Sequence, residues 1–288
     1  MSRTRDSTQR GGAWRAVTVA VLLAGCGTLP EIAPSEQPLS KPVLMLLGQK
    51  GLAANAPLFI RIFKEEAMLE VWKATPSGAF VHFQSYPICA RSGELGPKFK
   101  EGDKQAPEGF YQVSAERLNP HSKLYLSFNL GYPNAFDHAN GRTGTALMVH
   151  GQCTSAGCYA MTDALIEEIY ALLREAFRGG QQTVAVHAFP FRMTDANMAR
   201  HRASVHYPFW RVLKQGYDAF EATGAPPNVV VCEKRYLINP RWRGAAPTDI
   251  EPRNRCPRHN VVPAAAFSDA AASRVGAEPH AIEAVLRP

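Results

Sequence analysis

A hydrophobic stripe with helical spacing runs through residues 163–178, DALIEEIYALLREAFR. Apolar side chains recur there every three or four positions, which is the period of an α-helix with one buried face. Thr162 precedes the run as a candidate N-cap, and Gly179–Gly180 follows it as a stop signal. The pattern predicts a helix whose inward stripe consists of Leu165, Ile169, Leu172, Leu173 and Ala176.

The rest of the central chain consists mainly of strand-like runs, together with one further helix. A second helix is predicted over residues 207–224, with Trp210, Leu213, Tyr217 and Phe220 facing inward. Strand-like runs are predicted as a hairpin over 57–72, single runs at 80–89, 122–133, 145–151 and 181–189, and a hairpin-like pair over 228–238. We therefore predict an α+β fold in which a few helices pack on a β-rich core.

The first 25 residues have the pattern of an export signal. A basic segment is followed by the apolar run AVTVAVLLAG. This run is too short to span a bilayer, because a membrane-spanning helix needs roughly 20 apolar residues. The motif LAGC at 23–26 resembles a bacterial lipobox, which implies cleavage before Cys26 and lipidation of its thiol; the alternative is a plain cleavable signal. The lipidated form predicts a membrane-anchored protein of the cell envelope that faces the periplasm. By resemblance to known lipoprotein sorting signals, Gly27, which is not an aspartate, implies the outer membrane.

Composition divides the mature chain into three parts. Residues 26–50 would comprise the lipidated cysteine and a Pro- and Ser-rich tether, and residues 51–240 a single domain. Residues 241–288 are rich in Pro, Arg and Ala and predict a mostly disordered tail, with a helical turn near 279–286. Removing residues 1–25 lowers the net charge from +7 to +4, because they hold four arginines and one aspartate. This mild excess gives no indication of nucleic-acid binding.

The stretch VHGQCTSAGCYAM at 149–161 holds the candidate chemistry. His150, Cys153 and Cys158 could supply three zinc ligands, but no second pair completes a four-ligand site. A Cys153–Cys158 disulfide is an alternative in an exported protein. The third interpretation is a cysteine nucleophile, with His150 as its base at the end of a strand. The N-terminus of the following helix would then lower the thiol pKa.

The motifs Ser155-Ala156-Gly157-Cys158 and His150-Gly151 resemble the signature of the L,D-transpeptidase (YkuD-type) catalytic domain, and most closely its YafK-like (DpaA) branch. Further matching stretches are FIRIFKEE (59–66), SGELGPKFKEGDKQAPEGFY (92–111), GYPNAFD (131–137) and PFRMTDANMARH (190–201). The resemblance covers about residues 57–236. It implies a cysteine enzyme that acts on peptidoglycan stem peptides and needs no cofactor or metal.

Two departures from the broad family pattern narrow the expected activity. Ala156 stands where the family has a second histidine, and Tyr159-Ala160-Met161 replaces an arginine. The YafK-like branch shares these departures. It resembles an amidase that cuts the link between diaminopimelate in peptidoglycan and a lysine of an outer-membrane lipoprotein. Alternatives are an L,D-transpeptidase that forms crosslinks or protein links, and a non-catalytic peptidoglycan-binding lipoprotein.

The resemblance assigns roles to the central motif. Cys158 is the nucleophile and His150 the base, with a carbonyl near Gly151 orienting the imidazole. The N–H groups of Gly157 and Cys158 are expected to bind the oxyanion.

Candidate substrate contacts are Arg192, Lys98, Ser155 and Tyr159. Arg192 either clamps a substrate carboxylate or pairs with Asp195, Lys98 either lines the groove or lies in a solvated loop, and Ser155 either holds the loop or contacts the thiolate. Cys89 and Cys153 are either buried thiols or a bridge, and Cys232 and Cys256 are candidates to pair.

Overall fold

The computed structural model of the 288-residue chain describes residues 32–260. The proposed signal over 1–25, the candidate lipidation site Cys26 and the predicted turn near 279–286 lie outside the described residues. Within the described range, no helix combines the length and the apolar character needed to cross a membrane.

The described part of the chain is sheet-rich, which confirms the predicted α+β class. The strands are β1 (Leu58–Phe63), β2 (Met68–Ala74), β3 (Phe80–Pro87), β4 (Ala90–Arg91), β5 (Gly109–Ser114), β6 (Leu118–Ser122), β7 (Tyr125–Asn129), β8 (Met148–His150), β9 (Tyr159–Ala160), β10 (Thr183–Phe189), β11 (Val229–Cys232), β12 (Arg235–Ile238), β13 (Arg241–Trp242) and β14 (His259–Asn260). The helices are α1 (Lys41–Gln49), α2 (Ala135–Ala139), α3 (Asp163–Arg178), α4 (Asp195–Arg200) and α5 (Tyr207–Thr223), and short 3₁₀ turns occupy Pro34–Glu36 and Ala115–Arg117.

Two five-stranded sheets form the framework, in the orders β3-β2-β1-β10-β5 and β4-β9-β8-β7-β6. Strand β1 lies in the middle of the first sheet, pairs antiparallel with β2 and parallel with β10, and is buried at every position. Its sequence LFIRIF is accordingly apolar on both faces except at Arg61, whose guanidinium is paired with Glu70 and Glu221.

Helix α3 has the bounds that its hydrophobic period predicted. The Thr162 hydroxyl accepts the N–H of Leu165 at 3.4 Å, and Gly179 follows the last turn. The inward stripe is buried in the main core at Ile166, Ile169, Leu172, Leu173 and Ala176, whereas Leu165 is half-buried. The helix packs against β7 and β8, so its start lies next to the residues that follow the candidate histidine.

Helix α5 also matches its predicted range, and the four residues predicted to face inward are buried. It ends at Gly224, whose φ of +66° is a left-handed conformation that favours glycine. Its aromatic face joins a second apolar cluster with Phe63, Phe189 and Phe191. Trp210 in this cluster also donates its indole N–H to Glu108, which ties α5 to the segment before β5.

The tether predicted over residues 26–50 is wrong for the part that the structure describes. Helix α1 lies in this range, capped by Ser40, and buries Val43 and Leu47 in the main core. The guanidinium of Arg174 donates to the carbonyls of Ser35 and Gln37. Proline and serine start this helix rather than prevent it, because both residues are favoured at helix N-termini.

The disordered tail predicted over residues 241–288 is wrong for residues 241–260, the part of it that the structure describes. Strands β13 and β14 pair with each other over the 241–260 segment, and a Cys232–Cys256 disulfide links this segment to β11. Glu233 and Lys234 donate their backbone N–H groups to the carbonyls of Asn254 and Pro252. Backbone hydrogen bonds and a disulfide therefore order residues 241–260. Such bonds produce no hydrophobic periodicity in the sequence, so the composition alone does not predict this order.

Candidate active site

The register of β8 and β9 brings the candidate histidine and cysteine together. These strands are parallel, with His150 opposite Ala160, and Cys158 directly precedes β9. Met148 donates its N–H to the Cys158 sulfur at 3.4 Å, so the thiol lies against β8. Two steps of about 3.3 Å along a strand and about 4.8 Å between strands place the Cα atoms of residues 150 and 158 about 8 Å apart.

His150 and Cys158 line the same cavity, whose volume is about 400 Å³. Residues 145–147 and 154–157 form much of its wall, and residues of the 98–104 loop form another part. Cys158 is the free cysteine of the described chain, because the other four cysteines there are in disulfides. An unpaired thiol and an imidazole therefore open onto one space large enough for part of a peptide.

The hydrogen bond of His150 defines which ring nitrogen is free to take a proton. Its Nδ1 lies 2.7 Å from the Gly151 carbonyl oxygen, which can only accept, so Nδ1 carries the hydrogen. Burial lowers the pKa of His150 although the Gly151 carbonyl acts in the opposite direction. The imidazole is therefore neutral near pH 7, with Nε2 as a lone-pair acceptor.

A crowded turn after β8 holds the orienting carbonyl in place. Gly151 donates its N–H towards the carbonyls of Leu124 and Leu126. An added Cβ at Gly151 would lie 2.5 Å from Asp163 Oδ1 and 2.9 Å from the Leu124 oxygen, so a side chain has no space here. The same Asp163 oxygen accepts the N–H of Gln152 at 2.9 Å, which fixes the turn to the first residue of α3.

A disulfide between Cys89 and Cys153 closes the other side of this turn. Gln152 and Cys153 have φ values of +64° and +45°, which are unusual for residues with side chains and require support from the surroundings. Because Cys153 is bonded to Cys89, it can be neither a zinc ligand nor the partner of Cys158. Within residues 32–260, no group of His, Cys, Asp or Glu is arranged to hold a metal.

Replacing both Cys89 and Cys153 by serine should lower both stability and catalytic rate. The bridge spans 64 residues, and removing a native bridge of this kind costs about 2–5 kcal/mol. Loss of the disulfide should also make the 152–158 loop more mobile. We therefore expect kcat to decrease by a larger factor than the affinity for the substrate. Thermal unfolding and steady-state kinetics measure the two effects.

The matched control for this variant replaces Cys232 and Cys256, which form the disulfide of the C-terminal segment. It should reduce stability without a comparable fall in kcat, since neither residue lines the cavity. Equal kcat values for the two double variants would contradict a role of the Cys89–Cys153 bridge in shaping the loop.

The expected lowering of the thiol pKa by the α3 N-terminus is not what the structure gives. Burial raises the pKa of the Cys158 thiol, and the opposing contributions come from the Met148 N–H and the ammonium of Lys98. The sulfur also lies 3.7 Å from the Ala146 carbonyl, to which a protonated thiol donates. Cys158 is thus a neutral thiol, which would need a base in order to act as a nucleophile.

The oxyanion donors expected at Gly157 and Cys158 are used internally. Both N–H groups donate to the Ser155 hydroxyl oxygen, at 3.3 and 3.1 Å, and Ser155 itself donates to the Cys158 carbonyl. Ser155 lines the cavity and, in addition, holds the loop that presents the thiol. Gly157 has a φ of +142°, and this conformation rather than lack of space explains the glycine.

Two of the predicted substrate contacts, Tyr159 and Arg192, do not line the cavity. Tyr159 is fully buried, and its hydroxyl donates to the Pro107 carbonyl at 2.7 Å. Arg192 does not line the cavity and does not pair with Asp195: its guanidinium pairs with Glu70 and lies over the ring of Phe63. The sequence could not predict this pairing because Glu70 and Arg192 are brought together only by the folding of β2 and the segment after β10.

Lys98 does line the cavity, and it is only 3% exposed. Its ammonium donates to the Asp103 carboxylate and the Lys100 carbonyl, so the alternative of a freely solvated loop is wrong. Glu101 and Lys104 also line the cavity, and neither is among the predicted contacts. Their sequence signal is the dense run of charges of both signs around Gly102 in KFKEGDK.

Comparison with known proteins agrees with this geometry. Residues 60–186 match the L,D-transpeptidase catalytic domain known as YkuD. The chain is 43% identical over 227 residues to a protein of Escherichia coli K12 named "Putative L,D-transpeptidase YafK", covering 78% of this chain and 89% of that relative. The protein of the same name from Escherichia coli O157:H7 matches equally well.

Solved structures show weaker likeness. The helical cell shape determining protein Pgp2 from Campylobacter jejuni gives a TM-score of 0.38 at 19% identity, covering 62% of this chain and 65% of that chain. Bdellovibrio bacteriovorus Bd1075 gives 0.35 at 18% identity, covering 62% and 77%. Both scores are too low to add to the assignment. The identity to the Escherichia coli relatives, over nearly their whole length, shows that the chain belongs to the L,D-transpeptidase (YkuD-type) catalytic-domain family.

Proposed function

We propose that this protein is a cysteine-dependent amidase that opens an amide bond at the diaminopimelate centre of a peptidoglycan stem peptide. The observation that carries the proposal is the pair of groups in one cavity: a free, neutral thiol at Cys158 and an imidazole at His150 whose Nδ1 is held by the Gly151 carbonyl. This arrangement supports nucleophilic catalysis with His150 Nε2 as the base.

Each step can be assigned to atoms of this pair. His150 Nε2 takes the thiol proton as Cys158 Sγ forms a bond to the amide carbonyl carbon. The carbon–nitrogen bond then breaks, and the protonated His150 gives its proton to the departing amine. A thioester on Cys158 remains, and His150, neutral again, removes a proton from a water molecule that attacks the carbonyl. The carbon–sulfur bond then breaks, and His150 returns that proton to Cys158 Sγ. The products are a free carboxylate, a free amine and the regenerated thiol.

Lys98 supports the charge that develops during these steps. Its ammonium lies close enough to Cys158 to favour the thiolate over the thiol. An ammonium has three donors, and Asp103 and the Lys100 carbonyl accept two of them in the described structure. The third donor and the positive charge can stabilise the tetrahedral oxyanion, a role that the internally bonded N–H groups of Gly157 and Cys158 do not fill in the resting state.

Incubation of purified peptidoglycan sacculi with the protein tests this proposal. We expect mass spectrometry of the soluble fraction to show lipoprotein released with a free lysine amine, and the sacculi to retain stem peptides with a free carboxylate. A free amine acceptor in excess should not be incorporated. Incorporation of that amine in place of water would instead establish transpeptidation, and release of nothing would contradict both activities.

L,D-transpeptidation is the second candidate, and the family membership favours it. It uses the same thioester, with an amine of another stem peptide or of a protein as acceptor. A non-catalytic peptidoglycan binder is the third, since the cavity could hold a stem peptide without cleaving it. A binder has no need of an oriented imidazole beside a free thiol, so the hydrogen bond of His150 supports an enzyme.

The pH dependence of kcat/KM should show an acid limb below the ordinary histidine pKa of about 6.5. Burial lowers the pKa of His150, so the base stays neutral to lower pH and activity falls only when the pH drops through that lowered pKa. Initial rates on a synthetic stem-peptide amide between about pH 4 and 8 measure this limb.

The same geometry predicts the alkylation profile of Cys158. Iodoacetamide labelling should increase only at a pH above that of an ordinary thiol, about 8.5, because burial raises the pKa of Cys158. Complete labelling at neutral pH would indicate a preformed thiolate–imidazolium pair and would contradict the neutral-pair mechanism.

We also propose that Cys26 is lipidated and anchors the domain to the envelope membrane on the periplasmic side, with the outer membrane favoured. The basic and apolar pattern of residues 1–25 and the LAGC motif support this location. Labelling of the cells with a radioactive fatty acid tests it: the protein should be labelled, and a Cys26→Ala variant should not.

A further inference from the structure

Charged side chains of opposite sign face the cavity from a single loop. Lys98, Glu101, Gly102 and Lys104 of this loop all line the cavity. Two basic residues and one acidic residue thus belong to the lining of a space of about 400 Å³, together with His150 and Cys158. A ligand that enters this space meets both signs of charge within one short segment.

The loop is built around the half-buried carboxylate of Asp103, whose hydrogen bonds preorganise it. Asp103 accepts the Lys98 ammonium and the N–H groups of Phe99, Lys100 and Gln105. Burial would raise the pKa of Asp103, but these hydrogen bonds lower it to about 2, so the carboxylate stays ionised. Three of these four bonds hold the loop backbone, and the fourth holds the Lys98 side chain.

Glu101 is aimed by contacts with the segment that leads to β8. Its N–H donates to Thr143 Oγ1 at 3.1 Å, and Thr145 Oγ1 donates to its carboxylate at 3.4 Å. Thr145 lines the cavity as well, so this contact holds the exposed Glu101 carboxylate next to another lining residue. Lys104 is exposed, and within residues 32–260 its ammonium makes no ion pair.

We propose that this loop is a subsite for a zwitterionic amino-acid centre, with Glu101 binding the ammonium and Lys104, beside Lys98, binding the carboxylate. The inference rests on the proposed function and adds the residues that select its substrate. Diaminopimelate has a second centre that carries an ammonium and a carboxylate on one carbon. When one centre presents its amide to Cys158, the other reaches along the cavity to charges of the complementary sign.

The subsite also accounts for the departure from the family pattern at residues 159–161. Tyr159 stands in the segment where an arginine is expected, and it is buried and bonded to Pro107. A substrate carboxylate therefore has no cationic partner immediately after the nucleophile. The charged loop at 98–104 provides that partner from a different part of the chain.

Three synthetic stem-peptide amides test the assignment, because they differ only at the second centre. One contains diaminopimelate, one contains lysine, which lacks the carboxylate, and one contains 2-aminopimelate, which lacks the ammonium. Two variants, Glu101→Gln and Lys104→Gln, change exposed side chains and should leave the fold intact. The measured quantity is kcat/KM for each enzyme on each peptide.

For the diaminopimelate peptide, each variant should lose roughly three- to tenfold in kcat/KM, the effect expected of a partly solvated charge pair. Glu101→Gln should leave the 2-aminopimelate peptide unaffected, and Lys104→Gln should leave the lysine peptide unaffected. Lys100→Gln is the matched control: Lys100 is exposed in the same loop but does not line the cavity, so no peptide should respond.

The outcomes separate this inference from the proposed function. If the wild-type protein cleaves all three peptides equally well, or if each variant lowers all three by the same factor, the subsite is excluded while the amidase stands. If the wild-type protein cleaves none of them and releases nothing from sacculi, the proposed function itself fails.

Discussion

Replacing Cys158 by alanine should reduce amide cleavage at least about 10⁴-fold, to the level of buffer alone, because the covalent intermediate has no other sulfur to form on. The loss should appear in kcat, with substrate binding largely retained. The variant removes a side chain that accepts one N–H from Met148 and donates weakly to Ala146, so the fold should tolerate it. Mass spectrometry of sacculi digests and thermal unfolding measure the two properties together.

His150→Gln is the companion variant. It should lower kcat strongly while Cys158 remains open to alkylation at high pH, because the thiol is still present and only its base is missing. Retained cleavage in Cys158→Ala would mean that another group attacks the amide. Retained cleavage in His150→Gln alone would mean that the thiol proton leaves by a different route.

Replacing Glu108 by alanine should destabilise the domain by about 3–5 kcal/mol, which corresponds to a fall in Tm of roughly 6–20 °C. Glu108 and Lys64 are both fully buried, and their side chains pair at 3.0 Å. Glu108 also accepts the Trp210 indole N–H and the Gly96 N–H. Without it, Lys64 would be an uncompensated buried ammonium, and its pKa, already lowered by burial, would fall further.

The Glu108→Ala substitution should also disturb the cavity. Lys64 donates to the carbonyls of Glu94 and Gly96, and this segment leads directly into the loop that carries Lys98. Glu94→Ala is the matched control, since it removes an exposed carboxylate from the same segment and should change stability by no more than about 0.5 kcal/mol. A double variant, Lys64→Met with Glu108→Ala, should be more stable than Glu108→Ala alone. If the double variant were the less stable of the two, the unpaired Lys64 ammonium would not be the cause of the destabilisation.

The elements that could be read from the sequence are those whose signals are local. Helix α3 has a Thr162 cap, an apolar stripe and a terminal glycine, all within its own length, and its bounds match the structure. Strands β1 and β2 were recognisable as a hairpin because a short polar turn separates two β-rich runs. Helix α1 does not follow from composition, because proline and serine are typical of extended linkers, whereas here Ser40 caps the helix and Pro42 lies in its first turn.

The candidate site likewise has features that follow from local sequence and features that do not. His150 and Cys158 are close in sequence and flank a turn that leads into a helix, so their shared cavity could be inferred from the motif. The partners of Tyr159 and Arg192 could not, because Pro107 and Glu70 reach them only when separate strands are assembled.

By itself, the sequence determined the α+β class, the two long helices and the proximity of an imidazole to a thiol, since periodicity, caps and short spacings act over a few residues. Only the assembled fold brings Cys153 to Cys89, buries Cys158 so that its thiol pKa is raised, and places a charged loop in the lining of the same cavity. These features depend on segments far apart in the chain meeting in a desolvated interior, where packing and charge pairing set the outcome.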